Sequence, residues 1–418
     1  MMNRRNAKIL VLGAALMLAL TGLASAQMSR VEGMALQADF IKDWSGIFTY
    51  TSQVSNVGNL VYGELGNVAS PPLTFDRSVG AVIGNLWEGR MGTWAIHLRE
   101  QTPSMGQGDA GSNPAPGSFG NDPNTNTTES FDIMWGRKFG TKSVGLRVNR
   151  SYGRVLQEVG GVTSKIEADF TQPDPNLARN LLGVGAGVGF ELSPTSNVEL
   201  GVLWQTRSWL LDVPGLKVEE NGSSAYTLAG RVMWQWQPNI MVVPVVKYYN
   251  FDLGEKATPT GGPTTAFDNT RKGWQIGAAG NWTLGSNDLF VLGVNVAQNK
   301  LKQQEDLFAL GFGDTLEITE SFTPQLFAAL ETHVNSWLTL RFGANKGAWE
   351  KLKVEAPNGS TLEFKASSFN MRLGAGVKVG NLQLDAILSD QFPNHLPYFI
   401  SGNTTTDMFT KVTATYPF

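Results

Sequence analysis

The sequence contains no cysteine, which excludes a lipid-modified N-terminal cysteine, thiol chemistry and a disulfide-stapled secreted domain. Charge is sparse, with 17% Asp, Glu, Lys and Arg and a formal net charge of -3. Nucleic-acid binders usually need a basic surface, so this balance argues against that partner class. No stretch beyond the N-terminal region approaches the roughly 18 apolar residues of a spanning helix. The single apolar run, Ile9 to Leu20, follows Arg4, Arg5 and Lys8 and precedes small residues at Ala24 and Ala26. It is too short to span and reads as a secretory signal peptide over residues 1–26. The mature chain is therefore expected to begin at Gln27 and to work outside the cytoplasm.

Glycine and tryptophan are abundant instead, at 47 and 12 residues. Alternation is the dominant pattern. Leu182, Val184, Ala186, Val188, Phe190 and Leu192 interleave with Gly183, Gly185, Gly187, Gly189 and Glu191, and Val144, Leu146 and Val148 oppose Arg147 and Asn149. Two-faced runs of about 10 residues are what a tilted strand needs to cross a bilayer. Their connections fall into two alternating classes. Short ones ("WEGRMG", "KFGTKS", "LSPTSNV", "WQPNI", "LGSNDL", "HVNSW", "VGNL") separate long ones at about 66–77, 101–128, 151–180, 211–223, 252–270, 303–315, 347–361 and 391–403. A soluble sandwich has no reason to gather every long loop at one end, whereas an outer-membrane barrel does.

Counting back from the last strand, the alternation predicts an all-β fold: a transmembrane, antiparallel, up-and-down β-barrel of 16 strands over residues 58–418. Fourteen is the nearest competing number, because the first strand and the run near 240–251 are poorly patterned. Trp87, Trp135, Trp236, Trp282 and Trp337 lie close to short turns, where amphipathic rings suit a headgroup region. Residues 27–57 precede the first confident strand and are more apolar than a plain linker. They read either as a periplasmic lead-in or as a small plug inside the barrel.

The chain ends "FTKVTATYPF". With the signal peptide and the rhythm of long loops and short turns, this ending resembles the bacterial outer-membrane porins. Their last strand finishes in Phe with apolar or aromatic residues at every second place before it, here Val412, Ala414, Tyr416 and Phe418. The resemblance implies a cell outer membrane location, recognition by the barrel-insertion machinery, and contact with outer-membrane lipid and lipopolysaccharide. It also implies passive diffusion of small hydrophilic solutes through a polar lumen. Trimers are common in that family, but no residue pattern here marks an oligomer interface. A similar placement in general porins makes the long loop at 151–180 a candidate constriction.

Alternation places Arg99, Arg147, Arg207, Arg231, Arg341, Arg372, Asp132 and Asp385 on the lumen side. Arg147, Arg231, Arg341 and Arg372 would lie roughly 13 to 20 Å above the inner rim, given the rise and tilt of barrel strands. They form either an expected pore-lining basic band with a weak anion preference, moderated by the two aspartates, or a set of charges that simply hydrogen-bond one another inside a water-filled barrel. Enzyme chemistry is not expected. His97, His333 and His395 are scattered, no catalytic grouping is evident, and no cofactor or metal is called for. Asp122, Asn124 and Asn126 open like a calcium loop but lack its glycine and closing glutamate. Two alternatives stand beside the diffusion pore. One is a plugged channel for hydrophobic substrates like the long-chain fatty-acid channels, against which the inward faces read as mostly Gly, Arg, Asn, Gln and Thr. The other is a structural or adhesive surface barrel.

Overall fold

The computed structural model describes residues 29–68, 74–84, 86–87, 89–99, 129–153, 157–159, 162–164, 177–213, 216–252, 254–285, 287–306, 313–355, 360–388 and 409–418. The signal-peptide region, His395 and the Asp122–Asn126 spacing lie outside them. Sixteen antiparallel strands close into one barrel. They are β1 Leu60–Val68, β2 Thr74–Ile83, β3 Thr93–Arg99, β4 Glu129–Phe139, β5 Lys142–Gly153, β6 Leu177–Ser193, β7 Ser196–Val213 and β8 Ser224–Gln237. The second half comprises β9 Ile240–Asp252, β10 Thr270–Leu284, β11 Asp288–Asp306, β12 Gly313–His333, β13 Leu338–Gly347, β14 Phe369–Val379, β15 Leu382–Leu388 and β16 Phe409–Pro417. Each strand pairs with its sequence neighbour, and β1 closes on β16 with Leu60 opposite Pro417 and Gly66 opposite Lys411.

The strand number is sixteen rather than fourteen, and β9 shows why alternation alone was ambiguous. Val246 and Tyr248 face out, as a lipid-facing strand requires, yet Val243, Val245, Tyr249 and Phe251 on the inner face are buried and apolar too. Both faces are hydrophobic, so the period of two is erased while the strand remains regular.

The strand ends joined by the seven short connections gather at one rim, and those joined by the long ones at the other. At the long-loop rim, strands Leu216–Glu220, Glu255–Pro259 and Thr265–Phe267 extend the sheet beyond β7. A second extension, Glu350–Glu355 with Thr361–Ala366, pairs with the upper part of β12. Pro324 interrupts β12 where it changes partner from β13 to this extension, as suits a residue that cannot donate to a ladder. In the candidate constriction loop, Gln157–Val159 pairs, among the described residues, with Val162–Ser164 alone. Residues 154–156 and 165–176 of that loop lie outside the described residues.

The barrel is apolar outside and polar inside, the inverse of a soluble domain. Leu65, Val79, Ile96, Leu146, Val184, Trp204, Ile276 and Leu292 are exposed, while Asp132, Arg147, Glu199, Arg231, Gln275 and Asn299 are buried. Such an outer face is stable only against lipid. Trp87, Phe139, Trp236, Trp337, Tyr416 and Phe418 are exposed at the short-turn rim.

Burial of the inner polar residues has a plain cause. Residues 29–57 lie within the ring as short helical turns, Ser29–Glu32 and Val54–Val57, joined by 3-10 turns at Ala38–Phe40, Trp44–Phe48 and Thr51–Gln53. The chain is a plugged barrel. Inward glycines make room for it. A Cβ on Gly187 would lie 2.7 Å from the Ser52 nitrogen and 2.8 Å from that of Thr51, and one on Gly136 would lie 2.8 Å from the Ser55 nitrogen. Gly145, Gly201 and Gly343 likewise face the backbone of Thr51, Thr49 and Met34. Gly187→Val is therefore expected to leave a closed barrel, seen as retained heat-modifiable gel mobility. It should unseat the plug, seen as protease cleavage within residues 29–57; a plug still resistant to protease would contradict this packing.

Candidate functional site

The plug is too short in any one turn to satisfy its own backbone, and buried carbonyls must find donors. The wall supplies them. Arg231 on β8 donates through Nη1 to the carbonyls of Ala38 at 3.0 Å, Asp39 at 3.0 Å and Ile41 at 3.2 Å. Its Nε meets Glu199 on β7 at 2.6 Å, and its guanidinium lies 4.3 Å from the centre of the Tyr50 ring. Glu199 also accepts from Gln53 Nε2 at 2.8 Å. Arg147 on β5 repeats the device, donating to the Phe48 carbonyl at 2.7 Å and to Asp132 at 2.7 Å. Arg99 holds the other oxygen of Asp132 at 2.8 Å. Asn281 and Asn345 donate to the carbonyls of Phe40 and Ala35.

Ion pairs fasten the rest of the plug. Asp39 pairs with Lys247 on β9, and Glu32 pairs with Arg372 on β14. Lys411 on β16 lies 3.1 Å from Glu32 and 3.4 Å from Glu64. Arg30 bridges Asp43 at 2.7 Å and Glu331 on β12 at 2.8 Å. Arg341 is held between Glu331 at 2.6 Å and Asp385 at 2.7 Å.

All eight lumen residues proposed from alternation do face inward, but they do not form an open basic band. Arg99, Arg147 and Asp132 make one closed group, and Arg341 and Asp385 belong to another. Arg231 and Arg372 are occupied by the plug and its partners. Arg207 lies higher, 2.9 Å from Glu220 and 3.6 Å from Glu255 at the long-loop rim. Alternation places Glu199 on the same side of β7 as Gln205 and Arg207, though not as a pore-lining residue; sequence reasoning did not single out Glu331, Glu64, Asp39 and Lys247. For Lys247 the signal was lost in the two-sided hydrophobicity of β9.

The inner wall is also divided by polarity. Val31, Met34, Leu36, Phe40 and Ile41 of the plug pack on Met233, Val243, Val245, Ala279, Val291, Phe327 and Ala329 of β8 to β12. The reading of inward faces as mostly polar fails here and at the further apolar clusters of the wall. A second apolar foot sets Ile47, Phe48 and Val54 on Leu60, Tyr62, Val82, Ala95 and Met134. Beyond the plug, Leu181, Ala225, Tyr249, Phe251 and Ala297 cluster within the lumen. At the long-loop mouth, Leu301, Ile318, Leu352 and Val354 form another cluster. On the opposite side, a cavity of about 590 Å³ separates the plug from the short-turn rim, bordered by Arg30, Lys42, Asp43, Lys138, Glu191 and Asn197 among others. His97 Nδ1 lies 2.8 Å from the Tyr62 hydroxyl and its ring packs on Phe48. Among the described residues no cluster of His, Asp and Glu suits a metal ion.

No family model and no curated protein matches the sequence. Solved structures of similar architecture include the toluene transporter TodX of Pseudomonas putida, at 8% identity over 94% of this chain and 96% of that one, with a TM-score of 0.40. A FadL homologue of Pseudomonas aeruginosa is similar at 10% identity over 95% and 99%, with a TM-score of 0.43. The copper transporter OprC is similar at 12% identity and a TM-score of 0.38, over 79% of this chain; the chain spans 60% of that longer protein. At these values the likeness is one of fold alone.

Two outcomes test the site. Arg231→Met strands three plug carbonyls and a buried Glu199, and breaking a buried pair in this way typically costs about 3–5 kcal/mol. Hydrogen exchange across residues 29–57 should quicken while the barrel strands keep their protection; unchanged exchange in the plug would show that the clamp does not hold it. At the long-loop rim, burial pushes the Glu220 carboxyl up to about 7, against the opposing pull of Arg207. A folded value raised above the ordinary 4.5 means the fold holds an extra proton between the two, so local stability rises as pH falls through that window and is lost above it. Exchange in Leu216–Glu220, corrected for intrinsic rate, should slow from about pH 8 to about pH 5. That pH dependence should vanish in Glu220→Gln, and its persistence there would assign the effect to another group.

Proposed function

We propose that the protein is an outer-membrane channel that carries small apolar or amphipathic molecules, closed by residues 29–57 in the state seen. The apolar outer band, the aromatic rim and the separation of short turns from long loops support the location. The observation that carries the substrate class is the stacking of three apolar clusters on one side of the lumen. On β11 alone, Leu301, Ala297 and Val291 contribute in turn to the mouth cluster, the middle cluster and the plug's seat. The ten residue steps from Val291 to Leu301 span roughly 33 Å along the strand and about 25 Å along the barrel axis at the usual tilt.

Buried Asn295 and Asn299 lie between Val291 and Leu301 on the same face, so the three clusters give an apolar solute successive footholds down to the plug. The last apolar surface of this route is the one that Met34, Phe40 and Ile41 now cover. Displacing the plug's apolar foot would uncover Val243, Val245, Val291 and Phe327 as its continuation. An always-open hydrophilic pore is less well supported, because the plug fills the lumen where the arginines were expected to meet solute. A weak anion preference also has little to rest on, since those arginines face Asp132, Glu199, Glu331, Asp385 and Glu32. The reading requires no catalytic step.

Uptake into proteoliposomes tests it. A radiolabelled aromatic hydrocarbon or medium-chain fatty acid should enter faster than through protein-free vesicles. Phe251→Asp and Ile318→Asp, each placing a charge on the apolar strip, should lower that rate at least about tenfold in a folded barrel. Uptake indifferent to both substitutions would remove the apolar route.

A further inference from the structure

The outward face of the long-loop extension carries a patch of lysines that the transport reading does not use. On β9 and β10 the lipid-facing row ends with Tyr248 opposite Trp274. One inter-strand row runs from Trp274 through Gln298 and Ser321 to Lys351 and Lys365. The next row outward runs Lys272, Lys300, Thr319, Lys353 and Glu363, and the one beyond it Thr270, Lys302, Glu317, Glu355 and Thr361. The residues of each row share one face of the sheet, because cross-strand partners point the same way. That face is the outer one: the alternate residues Leu301, Ile318, Leu352 and Val354 are buried on the inner side.

The charges in this patch are unevenly matched. Lys351 and Lys365 share Glu363, and Lys353 pairs with Glu355. At the β10–β11 corner, Lys272 stands directly opposite Lys300, with Lys302 two residues further on the same face. Among the described residues the three lysines have one carboxylate partner, Glu317, which binds Lys300 and stands opposite Lys302, while the neighbouring Glu355 is taken by Lys353. Like charges directly opposite each other on a sheet are destabilising, so the corner is better satisfied with an anion on it. It lies just beyond Trp274, where the apolar band gives way to headgroups.

We infer that Lys272, Lys300 and Lys302 form a lateral site for the phosphorylated headgroup of an outer-leaflet lipid. The inference rests on the outer-membrane reading but not on the apolar route. The occupant is a membrane lipid rather than a free anion because the site is continuous with the lipid-facing band. Its acyl chains would then lie along Ile276, Val294 and Val296. The glutamate-matched lysines nearby set the control: Lys351 and Lys365 already have their carboxylate.

The full chain, purified and placed in phosphatidylcholine nanodiscs, is titrated with bis-phosphorylated lipid A and with its dephosphorylated form. The wild type should prefer the phosphorylated lipid. The triple variant Lys272→Gln, Lys300→Gln, Lys302→Gln should bind it about tenfold or more weakly, given the typical contribution of each lysine near an anionic surface. Lys351→Gln with Lys365→Gln should change binding little, and arginine at the three corner positions should restore it. If the triple variant does not fold by gel mobility, Lys272→Gln alone is read against Lys272→Arg. Equal affinity for both lipids, undiminished binding by the corner variant, or displacement by millimolar inorganic phosphate would each overturn the site. Hydrocarbon uptake by the corner variant should match the wild type, so failure of this site and failure of the transport reading are distinguishable.

Discussion

The structure depends on one constraint: a segment with almost no regular secondary structure is buried in a barrel, and its carbonyls must be satisfied from the wall. Arg231 answers three of them with one nitrogen, and Arg147 a fourth. Neither guanidinium could be held at that depth without its own carboxylate, Glu199 for one and Asp132 for the other. The acids and bases of the lumen are therefore arranged for the plug as much as for any solute. The inward glycines belong to the same arrangement, because a side chain at Gly187 or Gly343 would occupy the space of the plug's backbone.

Two kinds of contact hold the plug, and they behave differently. The buried ion pairs and carbonyl hydrogen bonds are specific and costly to break one partner at a time. The apolar foot of Met34, Phe40 and Ile41 is non-directional and can be replaced by any apolar surface that arrives at the same wall. A hydrophobic solute descending from Leu301 past Ala297 would reach that foot first. Competition for Val243, Val291 and Phe327 is a physically simple way for a substrate to weaken its own barrier.

The fold was largely legible in the sequence. Strand number, strand order and the sorting of connections followed from alternation and turn residues, since most lipid-facing strands here set an apolar outer face against a polar or glycine-rich inner one. Inner-face parity also placed Arg99, Arg147, Arg231 and Arg341 correctly. Their partners were less legible, because an alternating pattern says which face a charge occupies and nothing about what fills the space before it. Residues 27–57 left two placements open for the same reason: Val31, Phe40 and Ile47 are apolar whether they pack beneath a barrel or inside one. The apolar strip was obscured most of all. On β9 it removes the contrast between faces that makes a barrel strand readable.

The plug shuts the lumen, and conductance of the full chain in a planar bilayer measures this most directly. The wild type should show no steady ohmic conductance, while a chain lacking residues 29–57 should show stable open-channel steps. A wild-type protein that conducts continuously at the level of the shortened chain would contradict the account.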